Sequence, residues 1–278
     1  MLIVDSQVHI WAAPTPDRPW SPTHAGAAQR TEPFSADDLL AEMRVAGVDA
    51  AVLVPPAWEG TRNDLALAAA RRHPRRFAVM GRLPIEPADS RDRLAEWRYL
   101  PGMLGVRVNL RAATGRAWLR DGAADWLWRQ AERDGLPVMA FVTHDLPRIG
   151  AVAAAHPGLR IILDHMAVPP EARGEAAFEA LPALLALARH PNVAVKASAL
   201  PCAATDAYPF RGLHEPIRRV VDAFGPARVF WGSDLTRLPC PYHRAVTLFT
   251  EELPWLTGAD LALVMGGAIR RWLGWPGA

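Results

Sequence analysis

LPVMAFVTHDLPRIGAVAAAHPGLRIILDH, residues 136–165, holds a strand, a helix and a second strand in one short unit. An apolar run near 136–142 gives way to Thr143-His144-Asp145, an alanine-rich helical pattern follows near 146–156, and a second apolar run near 159–165 closes on Asp164-His165. His156-Pro157 stops the helix, because proline cannot continue it and the neighbouring histidine can meet the last carbonyls. Two strands joined through a helix lie parallel, with a right-handed crossover. The same unit recurs on both sides. β-rich runs lie near 2–9, 49–54, 76–83, 103–109, 136–142, 159–165, 192–198 and 227–234. Helical patterns separate them near 35–46, 62–73, 89–99, 123–134, 146–156, 175–190 and 211–224, and two more follow near 242–253 and 258–272. Eight such units in 278 residues predict a closed (β/α)8 TIM barrel, one domain over residues 1–278. His73-Pro74 and His190-Pro191 repeat the helix-ending chemistry of His156-Pro157, so these three histidines are expected to be structural and to face away from the strand C-termini. The connection 12–34, rich in Pro, Thr and Ala, is expected to lie over the active-site face.

Composition narrows the function classes. The chain is 50% hydrophobic and 22% charged, enough to bury a core and unlike a disordered chain. Lys and Arg number 31 against 29 Asp and Glu, a net +2, so no nucleic-acid partner is predicted. The densest basic run, Arg71-Arg72-His73-Pro74-Arg75-Arg76, falls at a helix end, where cations favour the helix dipole. Cys202 and Cys240 make neither a disulfide framework nor a four-cysteine zinc site. No apolar run reaches the ~18 residues of a membrane span and the first residues lack a cationic leader pattern, so a cytoplasmic protein without a membrane partner is expected. G-x-G-x-x-G after a strand, G-x-x-x-x-G-K-[ST] and G-x-S-x-G are all missing. His214-Glu215 lacks the second histidine of a zinc-binding helix, because position 218 is Arg.

Alternate residues of a barrel strand face the helices or the interior, so polar residues on one parity mark the inside. Arg107 and Asn109 then point inward from strand four, and Lys196 and Ser198 from strand seven. Asp5, Gln7 and His9 share the inner parity of strand one. His165 ends strand six on the parity of Ile161 and Leu163, Asp234 ends strand eight on that of Phe230 and Gly232, and His144 lies beyond strand five on that of Ala140 and Val142. Most of these fall where barrel active sites are built, at strand C-termini. Plain structural roles stand beside this: Asp5 can pair with Arg107 or Lys196, and Trp11, Trp20 and Trp58 can wall a pocket or pack the core.

Four segments carry a resemblance: Asp5-Ser6-Gln7-Val8-His9-Ile10-Trp11, Leu163-Asp164-His165, Trp231-Gly232-Ser233-Asp234, and the closing Met265-Gly266-Gly267-Ala268-Ile269-Arg270-Arg271-Trp272-Leu273-Gly274. In this order the chain resembles the amidohydrolase superfamily, specifically the amidohydrolase-related branch with sugar lactonases and 2-pyrone-4,6-dicarboxylate lactonase. The resemblance implies metal or substrate ligands from a strand-one H-x-H, histidines ending strands five and six, and an aspartate ending strand eight. Gln7 replaces the first histidine, and an amide oxygen ligates zinc more weakly than imidazole. Arg107 stands where binuclear members carry a carbamylated lysine or glutamate, so no bridged pair of metals is expected. Two versions stay open: one Zn2+ or Mn2+ on His9, His165 and Asp234, with His144 as a further ligand, or no metal, with cationic side chains polarising the substrate.

Either version implies hydrolysis of a lactone or other carboxylic ester, with Asp234 as base and His9, His165 and Arg107 as the other catalytic groups. Without a metal, Asp234 needs its basicity raised by partial burial. Arg107, Arg111 and Lys196 favour a small anionic, carboxylate-bearing substrate, and Gln7, Trp11 and His144 are the further candidates for holding it. A homo-oligomer is compatible with the sequence. The rival classes are a decarboxylase of an aromatic or related acid, which uses a related barrel, and a small-molecule binder that has lost catalysis.

Overall fold

The computed structural model describes residues 1–85 and 90–275. Apolar and β-branched runs form β1 (Val4–Val8), β2 (Ala50–Leu53), β3 (Phe77–Gly81), β4 (Met103–Asn109), β5 (Val138–Phe141), β6 (Ile161–Leu163), β7 (Val193–Ser198) and β8 (Val229–Gly232). Every strand falls inside its predicted span. Neighbours pair in parallel and in chain order, as a TIM barrel requires.

Helices wrap the strands, among them Ala36–Ala46, Asp64–Arg72, Leu146–Ala155 and His214–Phe224. The first is set by its ends: Ser35 and Asp38 form a capping box, and Gly47 closes it in the left-handed conformation. His73 and His156 follow their helices as C-caps, as expected, and His156 Nδ1 pairs with Glu132 at 2.7 Å. The helix Ser90–Trp97 matches its prediction, except that residue 89, its expected start, lies outside the described residues.

Three helical features differ from expectation. The span 175–190 is broken into short turns around Leu181–Leu185, where Pro182 sits in the first turn. The span 258–272 is interrupted by a π turn, Leu263–Gly267, at the Gly266-Gly267 pair. An additional helix, Ala113–Arg120, follows β4. Its Gly115 is required there, because a Cβ would stand 2.2 Å from the Asn109 carbonyl oxygen.

Two apolar layers result. Val8, Leu53, Val106, Leu163, Val195 and Trp231 pack outward against the helices. Val52, Ala78, Met80, Met139, Ile162, Ala194 and Phe230 fill the barrel, together with Ile269 and Leu273 of the last helix. That helix plugs the end away from the strand C-termini. Among the described residues no helix is long and apolar enough to cross a membrane.

The seam between β8 and β1 is closed by a side chain. Asp5 accepts from the Ser233 backbone N–H at 2.9 Å, from the Ser233 hydroxyl, from the Gln7 N–H at 2.9 Å and from the Tyr242 hydroxyl at 2.6 Å. One backbone bond runs beside it, Asp234 N–H to the Gln7 carbonyl at 2.9 Å. Gly232 makes the closeness possible, since a Cβ there would meet Ser6 Oγ at 2.4 Å. The register of β1 shifts between Asp5 and Val8. Asp5 therefore turns to the seam instead of the interior cations the sequence offered it.

Candidate active site

Toward the strand C-termini the barrel interior changes from apolar to charged. Arg107 of β4, Asp164 after β6 and Lys196 of β7 are buried there as a triad. Lys196 Nζ lies 2.7 Å from Asp164 Oδ1, and Arg107 Nε donates to Oδ2 at 3.1 Å. Burial opposes the Asp164 charge, but the two cations outweigh it and hold the carboxyl down at about 2. Lys196 also donates to Gln7 Oε1. An ammonium only donates, so this bond fixes the amide: Gln7 Nε2 faces the other way and donates to His9 Nε2 at 3.3 Å. His9 Nδ1 lies 2.5 Å from the Val54 carbonyl, which only accepts. Nδ1 therefore carries a proton, and Nε2 faces the Gln7 amide on one side and the Asp234 carboxylate on the other.

Asp234 sits beyond β8 with φ 52, and its Oδ1 is 3.2 Å from His9 Nε2. Its Oδ2 lies 3.3 Å from Arg237 Nη1 and 3.9 Å from His165 Nε2. Burial would raise this carboxyl, yet His9, His165 and Arg237 together hold it far below the usual carboxylate range. This is the reverse of the raised basicity expected for a metal-free site. His165 is also left-handed, φ 55, and burial lowers its imidazole to about 4, so the ring is neutral at neutral pH. Its Nδ1 pairs with Ser198 Oγ at 2.8 Å. Left-handed non-glycine residues cost roughly 1–2 kcal/mol each and gather at functional sites. Phe141 of β5 meets the His165 ring edge-on at 5.2 Å and carries the guanidinium groups of Arg107 and Arg111 on its ring at 5.2 and 5.7 Å.

His9, Arg107, His165 and Asp234 are therefore gathered at one mouth, with Gln7 beneath them. Of the four other predicted positions, three lie away from the mouth and Arg111 stands at its rim. His144 is exposed, because the inner parity of β5 is Met139 and Phe141, not Ala140 and Val142. Lys196 is wholly buried on Asp164 and Gln7, out of reach of a substrate. Trp11 packs behind the mouth against Trp58 and Phe34, while Trp58 is the ring beside His9. Arg111 reaches the rim, 3.6 Å from Glu171. On β6 the inner position before the mouth is Ile162, and His165 enters through its left-handed turn, not through the parity of Ile161 and Leu163. Asp164, Phe141, Arg82 and Arg237 were missed. The inner parity of β3 marks Arg82, whereas β5 and β6 are apolar on both faces and give no contrast to mark Phe141 or Asp164, and nothing in the sequence marks Arg237.

The resemblance implies a divalent ion, and the donor set can be tested. His9 Nε2 faces Asp234 Oδ1 at 3.2 Å in the buried mouth. With His165 Nε2, 3.9 Å from Asp234 Oδ2, three protein groups face one another here. Gln7 presents N–H instead of oxygen toward this group. A catalytic zinc takes three protein ligands, so His9, His165 and Asp234 are the residues that would hold one, and Gln7 in its present orientation adds no fourth.

A parallel eight-stranded barrel with imidazoles, a carboxylate and an arginine at the strand C-termini is the arrangement of a TIM-barrel enzyme. The chain belongs to the Amidohydrolase family, whose model matches residues 4–275. It is 33% identical over 263 residues to an L-fucono-1,5-lactonase of Burkholderia ambifaria, covering 92% of this chain and 86% of that one. An L-fucono-1,5-lactonase of Burkholderia multivorans is 28% identical, covering 97% and 95%. Among solved structures, an amidohydrolase of Burkholderia multivorans with bound zinc superposes with a TM-score of 0.81 at 25% identity, covering 99% of this chain and 100% of that one.

Proposed function

We propose that this enzyme hydrolyses a small lactone by attack of water at the barrel mouth, using its own side chains. The observation that carries the proposal is the Asp234 carboxylate held between His9 and His165 at the strand ends. The lactonase relatives support the bond type. Arg107 keeps its Nη groups clear of Asp164 and polarises the lactone carbonyl, whose developing oxyanion it stabilises. Asp234 orients the water. Asp234 takes the proton as the C–O bond forms and the attacking oxygen becomes acidic. His165, neutral and steadied by Ser198, is placed to carry a proton to the departing ring oxygen. The expected partner is a small anionic molecule, and the two unpaired cysteines suit a reducing cytoplasm.

The test is mass spectrometry of products from a lactone panel that includes L-fucono-1,5-lactone, with and without chelator. Gain of one water with no effect of chelation is expected. Loss of CO2 from an aromatic acid instead would make the enzyme a decarboxylase, and loss of activity on chelation with recovery on zinc would overturn the metal-free mechanism.

A further inference from the structure

Among the described residues the mouth holds more cations than carboxylates: Arg82, Arg107, Lys196 and Arg237 against Asp164 and Asp234. Arg107 and Lys196 share Asp164, and Arg237 is matched with Asp234. Arg82, directly after β3, follows the inner parity of Ala78 and Met80 and so points with them toward the interior. Its backbone is clamped by Asn63, which accepts from the Arg82 N–H at 2.8 Å and donates to its carbonyl at 3.0 Å. Its Nε donates to the Gly60 carbonyl at 3.1 Å, and its Nη1 is buried with no partner. β3 and β4 pair Gly81 with Val106, so Arg82 stands next to Arg107 at the ends of the two strands. Burial, then the Arg107 charge, lowers the guanidinium to about 9. A loop anchor would need only the Nε bond. A half-buried guanidinium beside a second one, with its Nη edge unspent, matches what a carboxylate requires.

We propose that Arg82 forms a carboxylate-binding subsite beside the Arg107 that meets the lactone carbonyl, so that the preferred substrate is a lactone bearing a carboxylate and not a neutral sugar lactone. The inference rests on the lactone-hydrolase function proposed above and names its substrate class. The neutral lactone of the relatives' name does not supply the missing charge, which separates this chain from them in specificity.

The test compares galactaro-1,4-lactone with galactono-1,4-lactone, which differ in a carboxylate against a hydroxymethyl group, and adds calorimetric binding of glutarate, which is not hydrolysed. The wild type is expected to favour the carboxylate lactone in kcat/KM by at least ~10-fold. Arg82→Met should remove that preference through KM and weaken glutarate binding at least ~10-fold, with Arg82→Lys intermediate, since ammonium keeps the charge but not the two-point grip. Unchanged Tm in Arg82→Lys guards against misfolding. Preference for the neutral lactone, or glutarate affinity indifferent to Arg82, overturns the subsite. Glutarate binding that depends on Arg82, with neither lactone hydrolysed, keeps the subsite and overturns the hydrolase function.

Discussion

At Asp234 a single carboxylate faces two imidazoles and a guanidinium, and its chemistry can be separated from its packing. Asp234→Asn keeps the shape while removing the charge, so kcat should fall at least ~100-fold with Tm little changed. Wild-type turnover by that variant would assign Asp234 to structure alone. Gln7 decides the other half of the chemistry. Its amide is oriented by Lys196, and Gln7→His would exchange the N–H that meets His9 for a second imidazole on the same strand face. Zinc affinity measured by competition with a chromogenic chelator should rise by at least ~10-fold, while activity need not improve. If the native protein already holds one equivalent of zinc as tightly, the orientation of Gln7 inferred from Lys196 is wrong.

Among the elements, β1 and β8 carry the least regular pairing, and Tyr242 secures it from the helix Tyr242–Thr250. Tyr242→Phe deletes one buried hydrogen bond to Asp5 and should cost about 1–3 kcal/mol in urea unfolding. A change within ±0.3 kcal/mol would show that Asp5 is satisfied without it. The strands themselves were legible, because each is a short apolar run bounded by turn residues. The site was legible where parity was unambiguous: Arg107 and Lys196 sit among valines and alanines that all face outward or inward. Parity failed on β5 and β6, where Val138-Met139-Ala140-Phe141 and Ile161-Ile162-Leu163 are apolar on both faces and give no contrast. It also failed on β1, where a register shift moves Asp5 to the seam. The left-handed turn that delivers His165 depends on tertiary packing, which no residue pattern in this sequence announces.

For the molecule as a whole, the buried site ties stability to pH. His165 has its folded pKa lowered to about 4 from the ordinary 6.5, so its contribution is full above 6.5 and is lost as pH falls from 6.5 to 4, about 3 kcal/mol in all. Burial pushes Asp5 the other way, up to about 6 from 3.8 against its four hydrogen bonds. Its protonated form favours the fold, so that contribution shrinks as pH rises from about 4 to 6. The two oppose each other in the wild type. Urea unfolding at pH 4.5, 5.5 and 7 should therefore show the gap between wild type and His165→Gln narrowing as pH falls, and a constant gap would mean His165 titrates normally. The seam has one more consequence. Ser233, which closes the barrel on Asp5, adjoins Asp234, whose own N–H is bonded to Gln7. Heat that parts β8 from β1 thus displaces Asp234 before the rest of the chain melts. Inactivation should precede denaturation: the midpoint of residual activity should lie below the circular-dichroism midpoint, and Tyr242→Phe should widen that interval.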